Sequence, residues 1–157
     1  LFIAINILLA DGRKDLNFVF SGKFINDGTK DKLNKFINAN KLNNNIFILD
    51  YISMTDIQKL YTKCLAVICP SLYEGFGMTV NEARYYKKPC LASDIPAHRE
   101  IADNNSTFFF NPRSPEDIYK KIKNFLSTNV AKYNFTSLEN QDKTFEKYIE
   151  VILGYKN

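Results

Sequence analysis

Two carboxylates in the spacing Glu-x7-Glu, Glu74 and Glu82, flank a short run that carries Gly75 and Gly77. The run follows an apolar stretch, Leu65-Ala66-Val67-Ile68-Cys69, and Pro70, and leads into helical sequence from Met78 onward. A strand–loop–helix junction of this kind presents backbone N–H groups that no helical carbonyl satisfies, at the positive end of the helix dipole, and so can receive an anion. Glycine permits positive φ and leaves no side chain in the way of a phosphate, which is expected at both Gly75 and Gly77. The amides of Gly77, Met78 and Thr79 then sit at the first turn. A carboxylate cannot serve an anion; it accepts hydrogen bonds from hydroxyl groups. Amides for phosphate beside carboxylates for hydroxyls fit a ligand that carries both, such as a nucleotide sugar. Both glutamates also have plainer readings. Thr79-Val80-Asn81-Glu82 has capping-box spacing, in which Glu82 only satisfies the first amides, and Glu74 reads equally as a solvated loop carboxylate.

The elements around this junction alternate. Apolar helical spacing covers Leu1 to about Asp11, and Asn17 to Phe20 is a short apolar strand that ends at Ser21-Gly22. Asp27 is placed to cap a helix through about Leu42, with Leu33, Phe36 and Ile37 on one face. A second strand covers 45–49, and Thr55-Asp56-Ile57-Gln58 has the form of a capping box opening a helix to about Cys64. The strand at 65–69 and a helix to about Lys87 follow. Pro89 to Ser93 reads as a strand, Pro96 starts a short helix to about Ala102, and 107–110 is the last strand. Ser114-Pro115-Glu116-Asp117 joins a capping Ser, a first-turn Pro and two acids, opening a helix to about Leu126. A final helix is expected from Ser137 to about Leu153. Continuous apolar strands separated by helices imply parallel strands buried on both faces, hence an α/β, doubly wound, Rossmann-like sheet. Such sheets bind ligands beyond their strands' C-terminal ends, here the loops after Phe20, Leu49, Cys69 and Ser93.

Composition narrows the function classes. The 157 residues are 45% hydrophobic and 24% charged, which is ordinary for one globular domain. The net charge of +4 is spread over helix faces and forms no block with interleaved aromatics, so nucleic acid is not expected as a partner. Peripheral contact with an anionic membrane surface stays open. No apolar run approaches the ~20 residues that cross a bilayer. The apolar first residues lack a basic leader and read as a helix whose beginning lies upstream, so the sequence is expected to be a piece of a longer protein. Cys64, Cys69 and Cys90 lack metal-ligand spacing; Cys69 and Cys90 fall in strands, where a free Cys acts as a small apolar residue and fits a reducing cytoplasm.

The run Pro70-Ser-x-x-Glu74-Gly75-Phe76-Gly77-x-x-x-x-Glu82-Ala83 resembles the signature of retaining GT-B glycosyltransferases, in particular the large family 4-like group. The stretches Pro89 to Glu100, Phe110-Asn111-Pro112 and Phe135 to Glu139 resemble segments that follow it. The likeness covers about residues 1 to 153, all of it the C-terminal, donor-binding half. It implies that Glu82 binds the donor's ribose hydroxyls and that Glu74 lies beside the transferred sugar as the catalytic carboxylate. Gly75, Phe76 and the amides of Gly77, Met78 and Thr79 would hold the diphosphate or sugar. Tyr51 and Ile52 would lie near the base, and Gly22 would approach the nucleotide closely. The donor would be UDP- or GDP-linked and the acceptor a saccharide or glycolipid, in surface polysaccharide synthesis. No metal or other cofactor is expected, since the sequence has no Asp-x-Asp pair and the helix dipole stands in for a cation.

Departures from the family pattern are Lys87 and Asp50, where Gly is usual. The family's diphosphate-neutralising Arg and Lys and its acceptor-binding domain would precede Leu1, so these residues alone are expected to bind donor weakly and not to catalyse. His98 reads as a solvated or packing residue, and Glu100 as a brace for the loop from Asp94 to Ala97. The rival readings are a non-catalytic nucleotide-binding module and a GT-B sugar-nucleotide 2-epimerase.

Overall fold

In a computed structural model, which describes residues 1–22 and 27–128, helices and parallel strands alternate as the sequence pattern requires. The expected helix from Ser137 to Leu153 lies outside the described residues. The chain divides into two units, Leu1–Ile57 and Gln58–Asn157. All described strand pairs are parallel, but they form a two-stranded and a three-stranded sheet where one sheet was expected.

The first unit contains α1 (Phe2–Ala10), β1 (Phe18–Ser21), α2 (Asp27–Ala39) and β2 (Ile46–Leu49). Strands β1 and β2 pair in parallel, with Ser21 opposite Leu49 at their C-terminal ends. Ile5, Leu9, Ile37, Leu42 and Ile46 make the core, and Phe2 stacks on Phe20 at 4.7 Å between ring centroids. Alternation along the strands turns Phe18 and Phe20 into this core. Their neighbours Val19 and Phe47 are opposite each other in register and 45% and 42% exposed, so this sheet is not covered on both faces as expected. Helix α2 closes with Lys41 N–H on Asn38 O and Leu42 N–H on Ile37 O. That pattern needs a left-handed residue after the helix, and Lys41 supplies it at φ 57°.

Helix α3 (Met54–Lys63) begins one residue before the expected capping box. Its cap is Ser53, whose Oγ accepts from Asp56 N–H at 3.2 Å and donates to Asp56 Oδ2 at 2.7 Å. At its far end Lys88 Nζ donates to the carbonyls of Thr62 and Cys64 at 2.8 and 3.0 Å, a cation set where the helix dipole is negative.

The second unit holds β3 (Val67–Cys69), α4 (Met78–Tyr85), β4 (Cys90–Ser93), α5 (Pro96–Ile101), β5 (Thr107–Phe110) and α6 (Pro115–Ser127). Sheet order is β3-β4-β5. Strand β3 is shorter than the apolar run because pairing begins where Val67 N–H reaches Pro89 O, and residues 86–88 still close α4. All four β4 residues are buried, as a strand covered on both faces requires. Cys69, Val80, Ala83, Cys90, Ala92 and Ile101 pack into one core cluster. On α6, Ile118, Ile122 and Phe125 are buried, and Phe125 meets Phe108 of β5 at 5.5 Å. Ser114 caps α6 as the sequence indicates, accepting from Asp117 N–H at 3.1 Å, worth about 1 kcal/mol.

Candidate functional site

Parallel pairing places the loops after β3 and β4 at one edge of the three-stranded sheet, and those loops carry the residues of interest. The loop after β3 spans 70–77 and ends on Gly77, the N-cap of α4, at φ 77°. A Cβ there would stand 2.9 Å from Ile101 Cδ1 and 3.1 Å from His98 Cδ2, so backbone conformation and packing against α5 both demand glycine. Gly75 differs from expectation: its φ is not positive, and a Cβ on it would meet nothing within 4 Å. Only one of the two glycines is conformationally required. Met78 and Thr79 are the first two residues of α4, so their amides head the helix as expected. Phe76 is 55% exposed, as are Leu72 (57%) and Tyr73 (88%) in the same loop.

Glu82 is the fifth residue of α4, past the turn that a capping glutamate serves, so the capping-box reading of Thr79 to Glu82 fails. Its partner is Tyr61 of α3, whose hydroxyl donates to Glu82 Oε2. Tyr61 is held by its ring, stacked on Tyr86 at 4.9 Å and 10°. Burial pushes the Glu82 carboxyl above its usual range, and the Tyr61 hydrogen bond partly offsets this. Burial, then the charge of Glu82, raise the Tyr61 hydroxyl far above its ordinary value, so it remains a donor.

Glu74 is not a solvated loop carboxylate; its side chain is 22% exposed and both oxygens have neighbours. Ser71 Oγ donates to Oε1. His98 Nε2 lies 3.5 Å from Oε2. His98 is itself wholly buried, which removes the solvated reading of that residue, and its Nδ1 is 3.0 Å from Ser93 O. The brace expected from Glu100 comes instead from its neighbour. Glu100 is exposed, whereas Arg99 forms two hydrogen bonds of 2.7 and 2.8 Å to Asp94 and lies 4.0 Å over the Phe109 ring.

Beneath the loop, Cys69 and Cys90 are buried free thiols, 3.5 Å apart at sulfur, as their strand positions implied. Their mutual hydrogen bond, together with burial, holds the Cys69 thiol well above its usual range, so it is not a nucleophile. Among the described residues, no three His, Cys, Asp or Glu side chains converge as metal ligands, and no helix is long and apolar enough to cross a membrane.

Gly22, Tyr51 and Ile52 lie in the first unit, following the C-terminal ends of β1 and β2. Gly22 has φ 143° with open space where a Cβ would be, and Tyr51 is 81% exposed. Asp50, at the position where the resemblance favours Gly, forms an ion pair with Lys30 of α2 at 2.6 Å.

Tyr61 escaped the sequence reading, while Ser71 and His98 were named there without their contacts to Glu74. Ser71-x-x-Glu74 has the spacing of a local Ser–Glu pair and was legible. Tyr61 is 21 positions from Glu82 and no local pattern joins them.

The profile of the family described as "Glycosyl transferases group 1" matches residues 1–147. The serotype-specific mannosyltransferase WbdA of Escherichia coli is 36% identical over 87 residues, covering 55% of this chain and 11% of that protein. The O-antigen chain mannosyltransferase RfbU of Salmonella typhimurium is 29% identical over 143 residues, covering 85% of this chain and 36% of that protein. The chain therefore spans well under half the length of these relatives. Among solved structures, a glycosyltransferase from Rickettsia africae superposes with a TM-score of 0.73 at 26% identity, covering 96% of this chain and 44% of that one. The C-terminal domain of the group 1 glycosyl transferase LpcC from Francisella tularensis gives 0.72 at 24% identity, covering 94% and 77%. The chain belongs to the glycosyl transferases group 1 family, and its fold is that of the C-terminal half of a GT-B enzyme.

Proposed function

We propose that this chain is the donor-binding half of a retaining glycosyltransferase that moves a hexose from a UDP- or GDP-sugar to a saccharide or glycolipid acceptor in surface polysaccharide synthesis. Two relatives named as mannosyltransferases, one of them acting on an O-antigen chain, favour mannose among the hexoses. The observation that carries the reading is the pair of carboxylates held on either side of a glycine-capped helix start, Glu74 by Ser71 and Glu82 by Tyr61. Each glutamate keeps lone pairs beyond its protein donor, and these are suited to hydroxyls.

In this reading Glu82 accepts from the ribose hydroxyls. Glu74 lies beside the transferred sugar and steadies positive charge that develops as the bond to the diphosphate breaks. The amides of Gly77, Met78 and Thr79, with Gly75 and Phe76 in the same loop, face the diphosphate and offset the charge of the leaving group. In the first unit, Gly22, Tyr51 and Ile52 meet the nucleotide. The work takes place in the cytoplasm, with peripheral contact at the inner face of the plasma membrane.

Calorimetric titration of the full-length protein with UDP, GDP, UDP-glucose and GDP-mannose tests the reading, alongside Glu82→Ala. One nucleotide should bind, and losing Glu82 should weaken it by about 1–3 kcal/mol, as when a buried hydrogen bond to a ligand is removed. Absence of binding by all four would refute the proposal.

A further inference from the structure

His98 is the one histidine of the chain, and its place is unusual for a group with no part in the activity proposed above. It sits in α5 with 0% exposure, beneath the loop that carries Glu74. Its Nδ1 is 3.0 Å from the carbonyl oxygen of Ser93. A carbonyl only accepts, so Nδ1 carries a proton and donates. The other ring nitrogen, Nε2, is buried without a hydrogen-bond partner, and the atom it faces is Glu74 Oε2 at 3.5 Å.

With Nδ1 donating, a neutral ring would turn the lone pair of Nε2 toward a carboxylate oxygen, which repels it. A proton on Nε2 reverses the interaction and makes a charge-assisted hydrogen bond, typically about 2.7–2.9 Å long, after a small approach of the two groups. Glu74 Oε1 already accepts from Ser71. A second donor at Oε2 would fix the plane of the carboxylate and prevent its rotation about the last side-chain bond.

The surroundings are built to bring the ring there. Gly77 lacks the Cβ that would lie 3.1 Å from His98 Cδ2, so the loop can rest on the ring. Ser93 is wholly buried and is tied through Oγ to Cys69 O at 3.2 Å, which steadies the carbonyl that orients the imidazole. The Arg99–Asp94 pair ties the last turn of α5 to the residue that follows β4. Loop, strand end and helix thus converge on one contact.

We propose that His98 is a positioning residue: its protonated Nε2 and the Ser71 hydroxyl clamp the two oxygens of Glu74 in the orientation that glycosyl transfer requires. The proposal rests on the reading of Glu74 as the carboxylate beside the transferred sugar. Asn and Gln substitutions separate the two ring nitrogens. His98→Asn keeps a donor near Nδ1 for Ser93 O and removes the one near Nε2. His98→Gln places an amide donor near Nε2 and gives up the bond to Ser93.

The experiment has two arms. In the first, release of UDP from UDP-glucose and of GDP from GDP-mannose, with an added saccharide or water taking the hexose, is followed in the full-length protein and both variants. His98→Asn should lower kcat by about 10²-fold, the scale of a misplaced catalytic group, with KM for the donor little changed. His98→Gln should recover at least a tenth of the lost activity. A merely structural role predicts the opposite order, with Asn, which keeps the Ser93 bond, the better variant; that order would overturn the proposal.

The second arm needs no activity. With a single histidine, a long-range 1H–15N spectrum of the 15N-labelled protein gives two unambiguous ring-nitrogen signals. Glu74→Gln, at a partly exposed position, should move the Nε2 signal and leave Nδ1 in place. An unmoved Nε2 overturns the contact even if His98 variants fold poorly. Absence of nucleotide release from the unsubstituted protein with both donors would overturn glycosyl transfer itself, while the spectrum would still decide the pairing.

Discussion

Replacing Tyr61 by Phe removes one hydroxyl and should keep the ring stacked on Tyr86. What is lost is the donor to Glu82, a carboxylate partly buried in the second turn of α4. A hydrogen bond to a charged group contributes about 1.5–3 kcal/mol, and its loss here leaves that charge partly desolvated. For a chain of 157 residues each kcal/mol moves Tm by about 2–4 °C, so a loss of about 2 kcal/mol at pH 7.5 lowers Tm by about 4–8 °C.

The size of this effect depends on pH, and the sign follows from linkage. Burial holds the folded Glu82 carboxyl above its ordinary value of about 4.5. The extra proton held by the folded state therefore gives stability that is full below about pH 4.5 and is lost as pH rises through the folded value. Tyr61 opposes the rise, so Tyr61→Phe raises the carboxyl further and extends that loss to higher pH. The difference between the two proteins should be greatest at pH 7.5. Near pH 4, where the carboxyl is neutral, it should shrink to the ~0.5–1.5 kcal/mol of an uncharged hydrogen bond. Thermal unfolding of both proteins at the two pH values, with Glu82→Gln completing a double-mutant cycle, measures this directly. A coupling below about 0.5 kcal/mol at pH 7.5, or a difference that does not change with pH, would show that the Tyr61–Glu82 bond is not what holds the carboxylate.

Two further outcomes concern backbone conformation. Lys87 closes α4 at φ 52°, with its N–H on Arg84 O and that of Lys88 on Ala83 O, so Lys87→Gly should raise stability by about 1 kcal/mol by relieving left-handed strain. No change in the denaturation midpoint would argue that Lys87 is unstrained. Gly77→Ala should have the reverse effect, since it combines φ 77° with a Cβ only 2.9 Å from Ile101 Cδ1. It should lower stability by at least ~1 kcal/mol and displace α5 from the loop, and a melting curve matching that of the unsubstituted chain would contradict the assignment.

How much of this was legible depends on the distance over which each feature is determined. Ser114 caps its helix because the acceptor, the Pro and the acids lie within four residues, and such local chemistry can be read directly. The start of α3 slipped because Ser53 and Thr55 both offer a capping oxygen, and only the turn itself selects Ser53. The Leu65–Cys69 run is apolar throughout, yet pairing is set by where Pro89 O arrives, which depends on how α4 ends. Gly75 and Gly77 look alike in sequence. They part when α5 packs on one and leaves the other in open space. The positions of the two glutamates could be marked from the signature, and Ser71 lies within it, but their neighbours from other elements could not. Tyr61 comes from another helix, and His98 comes from a segment whose burial no local periodicity records. In the first unit, the apolar Val19 and Phe47 gave the expectation of a sheet covered on both faces, which the strands alone do not guarantee.

The loop after β3 has two unlike sides. Inward, Ser71, Glu74 and Gly77 are fixed by a hydroxyl, an imidazole and the close approach of α5. Outward, Leu72 and Tyr73 stand in water with no part in that fastening. Mutational drift can therefore rewrite the outer side chains without disturbing the carboxylate behind them. One scaffold can hold its chemistry constant while changing what it touches, and the outer positions are where related chains have room to diverge in preference.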